Sequence, residues 1–447
     1  MSAETIEIGC AGATELDRVD LAIGMTEEPV SYLGMDCLAE RTLATAQLRR
    51  LADPGHGYNT LLPERMRGML PNIARKGIKL ASNMGAANPA GAADAIAEVA
   101  AAEAIEGLKL GVITGDDLIG AIDELPLSFE TGGGAETLPG EVVSLNAYLG
   151  AEHVATALNN GADVVVGGRL GDLSLYLGCM IHAFGWDIED WQRLGAGSVV
   201  AHLLECGRYV TGGAFSEPGW GKGVPGQDDL GFPLATVSDD GIARLRKQPS
   251  KGGMVSVDTV KEQLVYETGD PARYISPDVV IDIREVRVEP DGDAVRVSGG
   301  RGTERTDTLK VLAGVTEGFI AEGEISFAGR GAVAKAEESR QIVESRMRRR
   351  GDSLRILESR TDLIGARSIL AERTPELDPD LDDVRLRFAV RTPDRESAEI
   401  AAFEFQDLWF GPAGGGGARS SVREIISLYS SLVPRHEVSV QVEVREI

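Results

Sequence analysis

At 447 residues the chain has room for about two domains, and 43% hydrophobic with 26% charged residues is an ordinary globular composition. A net charge of −25 excludes a nucleic-acid surface, since no basic stripe is there to displace counterions, and an anionic ligand would need a local pocket of arginines and backbone N–H groups. Four cysteines without a C-x-x-C pair argue against a zinc ribbon or redox motif, and no apolar run nears the ~18 residues of a membrane span, so the expected setting is cytoplasmic with no membrane partner.

The first two-thirds of the chain alternates strand-like and helix-like segments. "TIEIGCAGA" reads as a strand entering a glycine turn, and "PVSYLGMD" as a second strand before the helical spacing of "CLAERTLATAQLRRLA". "GIKLASNMGAANP" is a third strand, followed by the alanine-rich helix "AADAIAEVAAAEAI", the strand "LKLGVITGDDL", the helix of "YLGAEHVATALNNG" and the strand of "ADVVVGGRLGD". Strands alternating with long helices predict βαβ crossovers, a mostly parallel Rossmann-like sheet, and a ligand site at the carboxyl ends of its strands. In a β-rich section at residues 279–330, "VVIDIREVRVEPDGDAVRVSGG" alternates about a "PDGD" hairpin turn. "GEISFAGRG" is a further strand, and "AVAKAEESRQIVESRMRRRG" a helix capped by Gly351. The last hundred residues read as strands "SLRILES" and "DVRLRFAVRT", helix "SAEIAAFEFQDLWF", loop "GPAGGGGARS", helix "SVREIISLYSSL" and strand "EVSVQVEV". The expected organisation is an α/β main domain over 1–350 and a smaller α+β, ferredoxin-like domain over 351–447.

Polar residues end each expected strand. In the glycine turn, "GCAG" followed by Asp36 suggests a dinucleotide fold, but G-x-x-G is an incomplete fingerprint and a tight strand-to-helix turn explains it as well. Gly167 and Gly168 would bring backbone close to a ligand, Arg169 would hold an anion, and Asp172 would steady the arginine or cap the next helix. A plain Arg169–Asp172 ion pair fits the same residues. His202, Glu205 and Cys206 fall at i, i+3 and i+4 of a helix, a general acid–base couple or simply a helix-stabilising pair. Asp116 and Asp117 follow a strand and would share a proton, bind a divalent cation weakly or cap a helix. Beyond that weak cation no cofactor and no metal site is expected, because no zinc or iron ligand framework is present. Asn83, Asn88 and Asn146 are candidates for orienting substrate. In "GPAGGGGARSS", Gly414, Gly415, Gly416 and Arg419 before a helix N-terminus would cradle a carboxylate or phosphate, and a flexible glycine loop would look the same. His182, alone in an apolar helix, reads more readily as a core residue.

The strings "SLNAYLGAEHVATALNNGADVVVGGRLGDLSLYLGCMIHAFGW", "AHLLECGRYVTGG" and "TVKEQLVYETGDPARYISPDVV" together resemble the AtuA family of acyclic terpene utilisation, and the likeness runs from the glycine turn with Asp17 and Arg18 to the C-terminal segment. The start departs from the family's usual glycine-rich turn. The C-terminal segment lacks the Asp-Lys-Gly motif of one branch, so a role tied to that motif does not transfer here. The resemblance implies a place in acyl-CoA or branched dicarboxylic-acid breakdown, with a ferredoxin-like C-terminal domain. On that basis the expectation is a lyase, foremost a hydratase or dehydratase of a small hydroxy (di)carboxylic acid or its CoA thioester. His202, Glu205, Asp116 and Asp117 would move protons and Arg169 would steady the enolate. The alternatives are an NAD-type dehydrogenase and a non-catalytic ligand-binding or assembly subunit. A homo-oligomer is expected, with a second small subunit as a further partner.

Overall fold

The computed structural model describes residues 4–366, 368–370, 380–412 and 415–447. Its elements follow the apolar patterning through the first two-thirds. Strand β1 (Thr5–Cys10) leads to α1 (Val19–Glu27), β2 (Tyr32–Met35), α2 (Glu40–Ala52), α3 (Leu62–Lys76), β3 (Lys79–Ser82), α4 (Pro89–Ala102) and β4 (Lys109–Thr114). Then come β5 (Glu141–Ala147), α5 (Ala151–Asn159), β6 (Val164–Gly167), α6 (Asp172–Phe184) and α7 (Trp191–Glu205). Strands β7 (Pro233–Ser238) and β8 (Ala243–Lys247) precede α8 (Val257–Val265), β9 (Tyr274–Ile275), β10 (Val280–Asp282), β11 (Arg287–Asp291), β12 (Ala294–Ser298), β13 (Arg301–Thr303) and the long β14 (Thr308–Ala328). The remainder is α9 (Ala332–Arg350), β15 (Glu358–Ile364), β16 (Asp383–Thr392), α10 (Arg395–Gln406), β17 (Gly415–Pro434) and β18 (Gln441–Glu446).

The fold is mixed α/β with several sheets. The largest has ten strands in the order β11-β12-β8-β7-β1-β2-β3-β6-β4-β18. Its centre, β1-β2-β3-β6-β4, is parallel. Both flanks are antiparallel, so the sheet is mixed rather than mostly parallel. Helices α1, α3 and α4 form one packed group and α5, α6 and α7 another, and both groups reach β4, β6 or their neighbours. Strand β6, VVVG, is consequently buried throughout, which is why it reads as an unbroken apolar run. Close approach explains one glycine in its neighbourhood. A Cβ on Gly34 of β2 would lie 2.4 Å from the ring of Tyr176, which is fully buried and donates its hydroxyl to the Gly34 carbonyl at 3.2 Å. The hairpin at "PDGD" forms β11 and β12 as the alternation predicts, with Gly292 at φ 64° in the turn.

Two compact units divide the chain: Met1–Thr137, Val143–Gly314 and Leu428–Ile447 in the first, Leu138–Val142 and Val315–Ser427 in the second. The division falls near Val315, inside β14, ahead of the expected residue 351. The terminal β18 pairs with β4, which places the last strand in the first unit. The second unit runs from the part of β14 after Gly314 through α9, β15, β16 and α10 to the part of β17 before Leu428, with strand order β15-β16-β14-β17 over a core that includes Phe327, Phe388 and Phe405. Helix α9 ends on Gly351 as expected, but two local readings fail there. "SLRILES" becomes strand only from Glu358, and "SVREIISLYSSL" is strand β17 rather than helix. Its serines and β-branched residues are indifferent helix formers, and pairing with β14 decides the outcome. Among the described residues no helix is long and apolar enough to cross a membrane.

Candidate functional site

The parallel strands end in polar residues on one edge of the sheet. Asp36 follows β2, Asn83 follows β3, Asp116 follows β4, and Gly168 and Arg169 follow β6. Asp172 opens α6 and Glu205 closes α7. Helix α7 is buried along nearly all its length between α6, α8 and strands β10 and β13, so its last turn carries His202 and Glu205 into the interior.

Three carboxylates meet there. Oxygen atoms of Asp36, Asp172 and Glu205 all lie within 4.8 Å of one another. Asp36 Oδ1 accepts hydrogen bonds from Asn83 Nδ2 at 2.6 Å and the Leu38 N–H at 3.3 Å. Asn83 in turn accepts the Cys37 N–H at 2.8 Å, fixing the turn that presents Asp36. Asp172 Oδ1 accepts from Arg169 Nη1 at 2.8 Å. Glu205 Oε1 accepts from the Cys206 thiol at 3.2 Å and lies 3.3 Å from His202 Nδ1. Burial drives the Asp36 carboxyl well above its usual range, and the neighbouring Asp172 adds to the rise. Burial also raises Glu205, against the pull of His202.

All three carboxylates line a cavity of about 550 Å³, and Asp17 and Arg208 line it too. Arg208 donates to Asp17 at 2.7 Å. A second cavity of about 510 Å³ shares Glu40, Asp172 and Glu267 with the first and adds Arg273 and Lys310. Glu267 sits at φ 57°, a left-handed conformation that a non-glycine residue holds at a cost of about 1 kcal/mol or more.

The expected site residues part into three sets. Asp36, Asn83, Asp172, Glu205 and His202 come together. His202 is buried behind Glu205 and does not line the cavity, so Glu205 is the member of the couple that a ligand meets. Arg169 is buried as well. Its Nη1 also donates to the carbonyls of Leu38 and Leu170, and its guanidinium lies 4.0 Å over the Tyr148 ring, so it holds Asp172 and the α6 entry rather than facing the cavity.

A second set braces the strand ends. Asp116 Oδ2 accepts from the Arg169 N–H at 2.8 Å and Asn146 Nδ2 at 2.9 Å, and a Cβ on Gly168 would strike that carboxylate at 2.4 Å. Gly168 therefore makes room for Asp116, not for a ligand, while Gly167 ends β6 within the core. Burial lifts Asp116 to about 6. Asp117, exposed where Asp116 is buried, accepts the Ile119 N–H. Asn88 caps α4, accepting the Gly91 N–H, and donates to the Pro54 and His56 carbonyls.

The third set lies elsewhere. Gly415, Gly416 and Arg419 are exposed residues of β17, without the helix N-terminus that the anion cradle required; Gly414 lies outside the described residues. The glycine turn also differs from a dinucleotide loop. Helix α1 begins only at Val19, and Gly9 and Gly12 are packed against Met25 and Met35 side chains. Sequence reading did not pick out Arg208, Glu267, Tyr209 and Tyr266 as lining residues, and noted Asp17 only as half of a pair with Arg18. Arg18 in fact pairs with Asp229 and Asp20. The one available signal was Arg208 itself, directly after the Glu205–Cys206 step.

The model of the acyclic terpene utilisation family protein AtuA matches residues 6–444. No curated protein and no solved structure matches the chain. The chain belongs to the AtuA family.

Proposed function

We propose that this AtuA-family chain is a lyase that adds water to, or removes it from, a small hydroxy acid or its CoA thioester. The observation that carries the reading is the convergence of Asp36, Asp172 and Glu205 on one cavity with a buried histidine behind Glu205. Elimination of water needs a base for the proton α to the carbonyl and an acid for the departing hydroxyl. Closely spaced carboxylates sharing protons offer both. Glu205 is the group that meets substrate, and His202, reaching the cavity only through it, is a positioning residue. Arg208 in the cavity lining suits the substrate's carboxylate, and the adjoining cavity with Arg273 and Lys310 suits the remainder of a longer molecule.

We read the first unit as Rossmann-like on its five parallel central strands with helices packed against them. The second reads as ferredoxin-like, since β14-α9-β15-β16-α10-β17 follows the split βαβ order. Assembly into a homo-oligomer and a cytoplasmic location complete the reading. Incubating the purified chain with hydroxy acids and their CoA thioesters, and following loss or gain of the conjugated double bond, tests it. Formation or hydration of the alkene by wild type and not by Glu205→Gln is the expected result. No turnover across that set, with or without added divalent cation, would overturn the proposal.

A further inference from the structure

In each carboxylate of the cluster one oxygen is tied to a protein donor: Asp36 Oδ1 to Asn83 and Leu38, Asp172 Oδ1 to Arg169, Glu205 Oε1 to Cys206. Among the described residues the second oxygen of each accepts no hydrogen bond, although all three side chains line the cavity. Outer donors that fix one oxygen and leave the other facing inward are how proteins orient metal-ligating carboxylates. The charges do not balance either. Of the groups in contact with the three acids, Arg169 alone is a permanent cation, which leaves an excess of two negative charges when all three are ionised. Among the described residues Arg208 is the only lysine or arginine lining the cavity, and Asp17 already engages it.

A second observation lies outside the acids. His202 is 1% exposed, and neither ring nitrogen makes a hydrogen bond, although Nδ1 faces Glu205 Oε1 from 3.3 Å. A buried imidazole left in this way costs about 1–3 kcal/mol, so its arrangement implies a state of the site that engages it. A cation that draws Glu205 into line would do so, because the imidazole then steadies the outer side of a ligating carboxylate.

We propose that Asp36, Asp172 and Glu205 bind one divalent, oxygen-seeking cation of the Mg²⁺ or Mn²⁺ class. Three carboxylate oxygens suit these ions rather than zinc or copper, since burial keeps the nearby Cys206 thiol protonated and donating to Glu205, and His202 stands behind that carboxylate. They also leave coordination positions for water and for the paired oxygens of a hydroxy acid. The site goes beyond the lyase reading and does not depend on it. If both hold, the cation supplies the positive charge the enolate needs, and water held by it carries the proton in place of the three ligands.

The test is titration of Mn²⁺ into the full chain, followed by electron paramagnetic resonance after treatment with EDTA. A single bound Mn²⁺ per chain, displaced by Mg²⁺, is expected, with Asp172→Asn and Glu205→Gln weakening it at least about tenfold. Melting curves give a second readout. In EDTA, Asp36→Asn should melt above wild type because it relieves the repulsion, and Mn²⁺ should raise the wild type alone. Wild type that takes up no Mn²⁺ at about 1 mM, the weak end of protein cation sites, overturns the proposal, as do folded variants that bind it equally well. Binding without turnover of any hydroxy acid keeps the cation site and removes the lyase reading. Turnover by a chain that binds no cation does the reverse.

Discussion

Charges along the strands of the second unit come in matched pairs, whereas those at the strand ends of the first do not. Across β14, β15 and β16, Arg387 bridges Glu322 and Asp362, Arg385 meets Glu324, and Arg391 meets Glu317 and Glu358. These are half-exposed cross-strand pairs in which each cation has an acid, a device that fixes register. In the first unit three carboxylates crowd together, Asp36 and Glu205 buried and Asp172 half-buried, and of the three it is Asp172 that pairs with a guanidinium, that of Arg169. Nothing about folding requires that excess, since burying unpaired carboxylates costs free energy. A matched ladder is the signature of a structural surface, and an unmatched buried cluster that of a working site.

The largest test of this contrast is turnover. Glu205→Gln keeps shape and removes the proton-transferring or cation-ligating oxygen, so kcat should fall by roughly 10²–10⁴. Glu322→Gln, an equal chemical change in the ladder, should leave kcat unaltered. Equal losses in both variants would erase the distinction.

Next in size is Arg169. Lysine keeps the charge but has no planar group to lie over Tyr148 while its end meets Asp172 and two carbonyls, as the guanidinium and its Nη1 do. Arg169→Lys should cost roughly 2–3 kcal/mol in urea unfolding, the worth of hydrogen bonds to a charged group. An unfolding midpoint equal to wild type would show that the guanidinium is not what holds the α6 entry.

Asp116 gives a smaller effect with a defined sign. Burial raises its carboxyl from 3.8 to about 6 in the folded chain, against the hydrogen bonds from Arg169 and Asn146. A raised folded pKa means that the native state holds the proton more tightly, so the contribution is fully present below about pH 4 and is lost as pH rises through 6. Asp116→Asn, which can still accept both hydrogen bonds through one oxygen, should flatten that slope by up to about 2 kcal/mol between pH 4 and 7. Chemical unfolding at several pH values reads it directly, and parallel slopes for variant and wild type would refute the assignment.

What the sequence disclosed, and what it withheld, follows from the range of the forces. Val164–Val166, the "PDGD" turn and the Gly351 stop are local patterns and form as read. The pairing of His202 with Glu205 was legible too, because i and i+3 share a helix face. That Asp36 and Asp172 would meet Glu205 was not legible. It depends on β3 alone separating β2 from β6 and on α7 returning over β1, which no local pattern specifies. Its place after the second strand suggests a ribose role for Asp36, and the glycines before Arg169 suggest a ligand role that its burial does not support. Segment 421–432 failed for the opposite reason: Val422, Ile425 and Ile426 suit a helix face about as well as a strand, and pairing with β14 settles it.

The smallest prediction is the sharpest, because it turns on a sign. Within the ladder, Glu322 accepts from Arg387 and Arg423, and those guanidiniums hold its carboxyl below the usual range despite partial burial. Glu322→Gln removes an attraction and should destabilise the fold by about 0.5–1 kcal/mol, the worth of a partly exposed pair, and by less in high salt, which screens it. Asp36→Asn replaces a buried carboxyl one residue after β2, whose nearest charged neighbours include Asp172 and Glu205 and whose ionised form burial and Asp172 disfavour. The hydrogen bonds from Asn83 and Leu38 to Oδ1 can survive that change, so what is lost is repulsion. In metal-free buffer at neutral pH the two substitutions should therefore move the unfolding midpoint in opposite directions, down for Glu322→Gln and up for Asp36→Asn. If both lower it, the strand-end acids are compensated within the chain, and the contrast between the two units is one of burial rather than of charge.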